Sequence, residues 1–196
     1  MTIQKRGILI LLAVVMIIGT MISPAYAYET NGWHVTSTLE FVPYSGFGST
    51  SRTHMSNAAG KWNARVSDFT MLSVSTGTHS DATGYYTRDY KNYIYRIDAG
   101  SGYVGIAATW ASSGVVSECD INLNMYYSWA NSAQSGCYDV YSIILHEFGH
   151  PLGLADLDDA DLYSYDTAVM WYSAKPNSTK RSLKADDRDG IDAIYN

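Results

Sequence analysis

An α+β fold is predicted, and three observations predict it. Five short segments alternate or run apolar as strands do, and three others repeat apolar residues at helical spacing. One of those helices carries His146 and His150 four apart, with Glu147 between them. Imidazoles at that spacing lie one turn above each other on a single helix face, close enough to share a metal ion.

Residues 1–27 read as an export signal. Lys5 and Arg6 form the basic start, Gly7 to Ile22 the apolar core, and Ala25-Tyr26-Ala27 the small-residue cleavage site. An uncleaved membrane anchor is the competing reading, but about 15 apolar residues fall short of the roughly 20 that a spanning helix needs. The expected organisation is a signal peptide over 1–27 and one domain over 28–196, secreted, monomeric and without stable membrane association after cleavage. The formal net charge is −6, and loss of Lys5 and Arg6 takes it to about −8. An acidic chain without a basic run is a poor partner for nucleic acid.

Trp33 to Val42 alternates as a first strand. After the Gly and Ser cluster around Gly46 to Ser51, Met55, Ala58, Ala59 and Trp62 recur at helical spacing within Thr53 to Val66. Phe69 to Val74 and Tyr93 to Asp98 read as the second and third strands, with a polar surface loop between them. Two more strand segments follow, in Gly102 to Ala111 and Val115 to Asn124. Tyr138 to His150 is the metal-site helix, with Asp139 near its start favouring the helix dipole. Leu183, Asp187, Ile191 and Ile194 mark a last helix.

The stretch His146 to Asp156, HEFGHPLGLAD, supplies a complete ligand set. Glu147 can reach a metal-bound water without being a ligand. Gly153 suits a left-handed residue at a helix end, and the reversal it permits can swing Asp156 back to the ion. Two nitrogens, one carboxylate oxygen and an open position are the arrangement of a catalytic rather than a structural Zn2+.

The spacing HExxHxxGxxD resembles the metzincin metallopeptidases, and the matrixins among them most nearly. The likeness is strongest from Tyr138 to Asp156, at Met170 and in the last helix. It implies a metzincin-like catalytic domain: a twisted, mixed five-stranded sheet with an antiparallel edge strand, an active-site helix and a C-terminal helix. It implies a zinc-dependent endopeptidase acting on protein or peptide substrates through one zinc ion, its bound water and Glu147 as general base. Gly105, Ile106, Ala107 and Ala108 fall on the implied edge strand, which would pair with an extended substrate. Met170 falls where the family places the methionine of the turn beneath the metal. Tyr172 matches a Met-x-Tyr pattern whose tyrosine can bind the oxyanion, and a buried structural tyrosine is the equal alternative.

Several features stand apart from that pattern. Asp156 replaces the more usual third histidine. His79-Ser80-Asp81 hints at the family's second, structural zinc site, but Ala108 stands where a strand histidine is needed, so no second zinc is expected. A Ca2+ site among Asp158, Asp159, Asp161 and Asp166 is conceivable, though a solvated acidic loop is the favoured reading. Cys119 and Cys137 are expected to form a disulfide in an oxidising compartment, worth about 3 kcal/mol, with two free thiols as the alternative. Pro151 follows the second histidine directly. If the helix ends early His150 still reaches the metal, and if it is displaced the site is weakened. In that second case the chain would be a non-enzymatic secreted binding protein on a degenerate fold. Asn177-Ser178-Thr179 is a glycosylation sequon.

Overall fold

The computed structural model describes residues 28–82, 84, 87–158 and 167–196. The export signal, Asp159, Asp161 and Asp166 lie outside the described residues. Strands β1 (Leu39–Pro43), β2 (Leu72–Val74), β3 (Asn92–Tyr95), β4 (Gly105–Ser112) and β5 (Val115–Leu123) form one sheet in the order β2-β1-β3-β5-β4. The pairings of β1 with β2 and β3, and of β3 with β5, are parallel, while β4 runs antiparallel to β5 at the edge. This is the mixed sheet with an antiparallel border that the metzincin resemblance implied.

Helix α1 (Ser49–Asn63) makes the crossover from β1 to β2. It begins four residues before the expected Thr53, because Gly48 takes an extended N-cap conformation and the Ser-Thr-Ser run that follows joins the first turn. Its buried stripe of Met55, Ala58, Ala59 and Trp62 follows the predicted spacing. Helix α2 (Val140–Gly149) packs beside α1 and against β4 and β5, while α1 itself covers β2. Trp62 Nε1 donates 2.9 Å to the Leu145 carbonyl, and Phe41 meets Phe148 with ring centroids 5.0 Å apart. The indole thus supplies core volume while its one polar atom is satisfied.

The alternation of β5 sorts two different interiors. Cys119, Ile121 and Leu123 enter the hydrophobic core, whereas Glu118, Asp120, Asn122 and Asn124 are buried on the other face. That polar face accepts backbone N–H groups of the preceding loops: Asp89 and Tyr90 on Glu118, Tyr93 on Asp120, Ile97 on Asn122 and Ala99 on Asn124. Buried polar side chains persist where such partners exist. The ladder therefore ties the long connections to the sheet.

A parallel pair of short strands, β6 (Ser128–Ala130) and β7 (Cys137–Asp139), precedes α2. Tyr138 and Asp139, expected inside the helix, belong to β7. Asp139 is the N-cap of α2, accepting from Ser142 N at 3.0 Å. Helix α3 (Ala185–Tyr195) closes the domain. Among the described residues no helix is long and apolar enough to cross a membrane.

The expected disulfide is not formed: both cysteines are free. The pleat of β5 turns Cys119 into the core, where its sulfur meets Thr109 Oγ1 at 3.4 Å, while Cys137 sits half-buried on the separate β6–β7 pair. Burial also pushes the Cys119 thiol far above its usual range, so it is a poor thiolate. Alkylation without reductant checks this. Native protein should take label at Cys137 alone and denatured protein at both cysteines; two protected cysteines after denaturation would restore the disulfide.

Candidate metal centre

His146 and His150 project from α2 and its C-cap with ring centroids 4.9 Å apart and nearly perpendicular. Each ring is oriented by a backbone carbonyl. His146 Nδ1 donates 2.8 Å to Val169 O, and His150 Nδ1 donates 3.0 Å to Leu154 O. With the Nδ1 proton so engaged, Nε2 is the atom each ring presents to the centre, and it carries the lone pair whenever the ring is neutral.

Both Nε2 atoms face the Asp156 carboxylate. Oδ1 of Asp156 stands 3.1 Å from His146 Nε2 and 3.8 Å from His150 Nε2. A tetrahedral zinc with ligands at about 2.0–2.2 Å spaces its donor atoms roughly 3.3–3.6 Å apart. The donor set therefore fits the ion in spacing and in chemistry. Glu147, 4% exposed, places Oε2 3.9 Å from His150 Nε2 and forms with the two histidines a tight group of side chains able to hold a metal ion. Asp156 Oδ1 stands within 3.8 Å of both nitrogens, and Glu147 has a carboxylate oxygen within 4.8 Å of both, so each carboxylate is within reach of the place where the rings converge.

The electrostatics of the ligand-free site follow from this crowding. Burial pushes the Glu147 carboxyl up to about 7. Burial opposes a charged His146, but the Asp156 and Glu147 carboxylates outweigh it and raise the ring to about 9. Burial and the neighbouring His146 charge lower His150 to about 4. The two rings cannot both be charged at neutral pH, so a divalent cation has one proton to displace.

Pro151 does not push His150 out of the site. The helix ladder stops at Gly149, and the chain reverses through a Schellman closure. Leu154 N bonds Gly149 O at 3.1 Å, Gly153 N bonds His150 O at 3.0 Å, and Gly153 takes φ +105°. Any side chain on Gly153 would overlap the Trp33 carbonyl. The N-terminal segment completes the reversal: Trp33 Nε1 donates 2.8 Å to His150 O, Asn31 N 2.7 Å to Gly153 O, and Asn31 Nδ2 2.8 Å to Leu154 O. These contacts carry Asp156 back toward the imidazoles.

Met170 lies beneath the centre, buried at 2% exposure with its sulfur packed on Gly149. The turn that holds it hangs on Asp187. That buried carboxylate accepts Val169 N and Met170 N at 3.0 Å each, and Lys184 N at 2.7 Å. Asp187 therefore fixes the turn that carries Val169 O, the acceptor for His146. Its sequence signal was an acidic residue on the core-facing stripe of an amphipathic helix. Asn31 and Trp33 carried no such signal.

The centre opens into a cleft of about 680 Å³. Gly105, Ile106 and Ala107 of β4 line it, with Ala108 on the same edge strand paired to Asp120. Gly105 faces the general-base candidate so closely that a methyl there would overlap Glu147 Oε1 and Ile143. Tyr172 lines the cleft at 53% exposure, so it is not a buried structural tyrosine. His79 lies elsewhere, stacked on Tyr93 at 4.2 Å with Nε2 against the Ile94 carbonyl at 3.2 Å. Rings rather than further histidines surround it.

A mixed sheet whose antiparallel edge borders a helix bearing two facing imidazoles defines the metzincin-like class of α+β domains. The sequence profile of the matrixin family matches residues 32–196, and the chain belongs to that family. It is 39% identical over 67 residues to bovine (Bos taurus) interstitial collagenase, a match covering 34% of this chain and 12% of the collagenase. It is 25% identical over 162 residues to soybean (Glycine max) metalloendoproteinase 1, covering 81% of this chain and 50% of that protein. The chain thus spans half or less of these relatives. High choriolytic enzyme 1 from medaka (Oryzias latipes), a hatching-enzyme zinc protease, superposes with TM-score 0.42 at 13% identity, covering 83% of this chain and 93% of that one.

Two substitutions check the geometry. Asp187→Ala strands three buried N–H groups and should lower unfolding stability by about 3 kcal/mol or more in urea melts; an unchanged melt would show the turn to be held otherwise. Gly105→Ala should leave metal content intact while cutting turnover of a peptide substrate at least tenfold. Full turnover in that variant would mean that Glu147 has room the distances deny.

Proposed function

We propose that this chain is a secreted zinc-dependent endopeptidase that hydrolyses internal peptide bonds of proteins. The observation that carries the proposal is the pair of imidazole Nε2 atoms converging on Asp156, with the buried Glu147 carboxylate beside them at the floor of a cleft bordered by an edge strand. His146, His150 and Asp156 hold the ion. When bound, zinc supplies Lewis acidity to the scissile carbonyl and to a water next to it.

The chain's own groups do the rest. The β4 edge at Gly105 to Ala108 offers its main-chain N–H and C=O groups to an extended substrate, which binds as an added strand. Glu147 takes a proton from the attacking water as the new C–O bond forms. It then delivers that proton to the amine nitrogen as the C–N bond breaks. Burial raises its pKa to about 7 and so weakens its acidity, which suits a group that must hold a proton briefly near neutral pH. The Tyr172 hydroxyl, exposed on the cleft wall, donates to the developing oxyanion. No Ca2+ is required by this scheme.

Glu147→Gln keeps shape and hydrogen-bonding capacity but cannot carry the proton. It should bind one zinc per chain and retain under about 1% of turnover on a casein-type substrate. Asp156→Ala should weaken zinc retention against a chelator at least tenfold. Wild-type turnover by the Glu147 variant, or unaltered zinc retention by the Asp156 variant, would reject the corresponding role.

A further inference from the structure

The cleft continues from the metal centre to a basic wall. From Thr167 to Lys184 the sequence contains Lys175, Lys180, Arg181 and Lys184 and no acidic side chain, in a chain whose net charge is −6. Lys175, Ser178 and Lys180 line the cleft that contains His146 and Glu147, and they also line an adjoining cavity of about 510 Å³ that reaches Arg181 and Lys184.

This wall is fixed in place. Asn177 N donates 3.0 Å to Cys137 O of β7, and Lys180 N donates 2.7 Å to Ser142 Oγ of α2. Arg181 pairs with Asp139, whose carboxyl is held below its usual range despite burial because the guanidinium and Ser142 hydrogen-bond to it. Ser178 Oγ closes the turn on the Lys175 carbonyl at 2.6 Å, with Asn177 left-handed at φ 60°. The Arg181 charge is therefore matched by the wall's own anchor, Asp139. Glu147 and Asp156 are engaged at the metal centre. Lys175 stays exposed on the lining.

We propose that this wall makes the cleft prefer peptides with a carboxylate side chain at the position that lies against Lys175, so that Lys175 is a specificity-determining residue. The proposal rests on the endopeptidase reading and narrows its substrate class to acidic peptides. A charge on the wall of a concave cleft focuses its field on a bound chain more strongly than the same charge on open surface. The three anchors hold the backbone that carries it, so only the lysine side chain has to be ordered by a bound carboxylate.

The test uses zinc-loaded full-length protein and matched fluorogenic peptides that differ only by Glu or Gln at each of the three positions on either side of the scissile bond. One position should show a Glu-over-Gln ratio in kcat/KM of about three- to tenfold, shrinking toward one as salt rises. Lys175→Gln should abolish that ratio and Lys175→Glu should invert it, while the all-Gln peptide is cleaved within about twofold of wild type. Cleavage with no Glu preference at any position overturns the proposal alone, as does a preference that survives Lys175→Glu. Failure to cleave any peptide overturns the endopeptidase reading, and this proposal with it.

Discussion

Two backbone carbonyls decide what the centre of this protein can do. By accepting the Nδ1 protons of His146 and His150, Val169 O and Leu154 O fix both imidazole tautomers and aim both Nε2 lone pairs at one place. Neither carbonyl is held by the helix that carries the histidines. Val169 O is placed by the Met170 turn hanging on Asp187, and Leu154 O by the Gly153 reversal clasped by Asn31 and Trp33. Four separate parts of the chain thus cooperate to present two nitrogen atoms. The rest of the domain is scaffolding for that alignment.

The same economy shapes the cleft. Edge strand β4 must approach α2 closely enough to lay a bound chain across Glu147, and a glycine at 105 is what the approach requires. Burial then raises the carboxylate, against the pull of the His146 charge and with a further push from Asp156. On the far side, the Asp139–Arg181 pair serves two ends at once: it caps α2 and anchors the basic segment. One buried carboxylate joins the start of the metal helix to the wall of the binding cleft.

Much of the fold could be read in the residues, because alternation and helical spacing report directly on which faces are buried. His146, Glu147 and His150 were legible for the same reason, their spacing being a statement about one helix face. The reversal at Gly153 was legible as well, since a left-handed residue there predicts it, and it brings Asp156 beside both imidazoles. What escaped were contacts made across long separations. The carbonyl acceptors of the rings, the clasp of Asn31 and Trp33, and the burial of Asp187 depend on which segments meet. The cysteine pairing failed on an available cue: strand alternation groups Cys119 with Ile121 and Leu123, facing inward, and an even cysteine count says nothing of direction. The helix start at Val140 rather than Tyr138 turned on Asp139 serving as a cap.

The clasp between residues 29–33 and 153–155 also bears on when, during folding, the metal centre can take shape. A chain emerging from the ribosome exposes its first residues early, yet the metal pocket needs both that first segment and Asp187 near the end. Contacts of such long sequence separation form late, after most of the chain is available. A nascent fragment ending anywhere before the last helix therefore owns the histidines without their alignment. Alignment of the two imidazoles is thus deferred until both ends of the domain are in place.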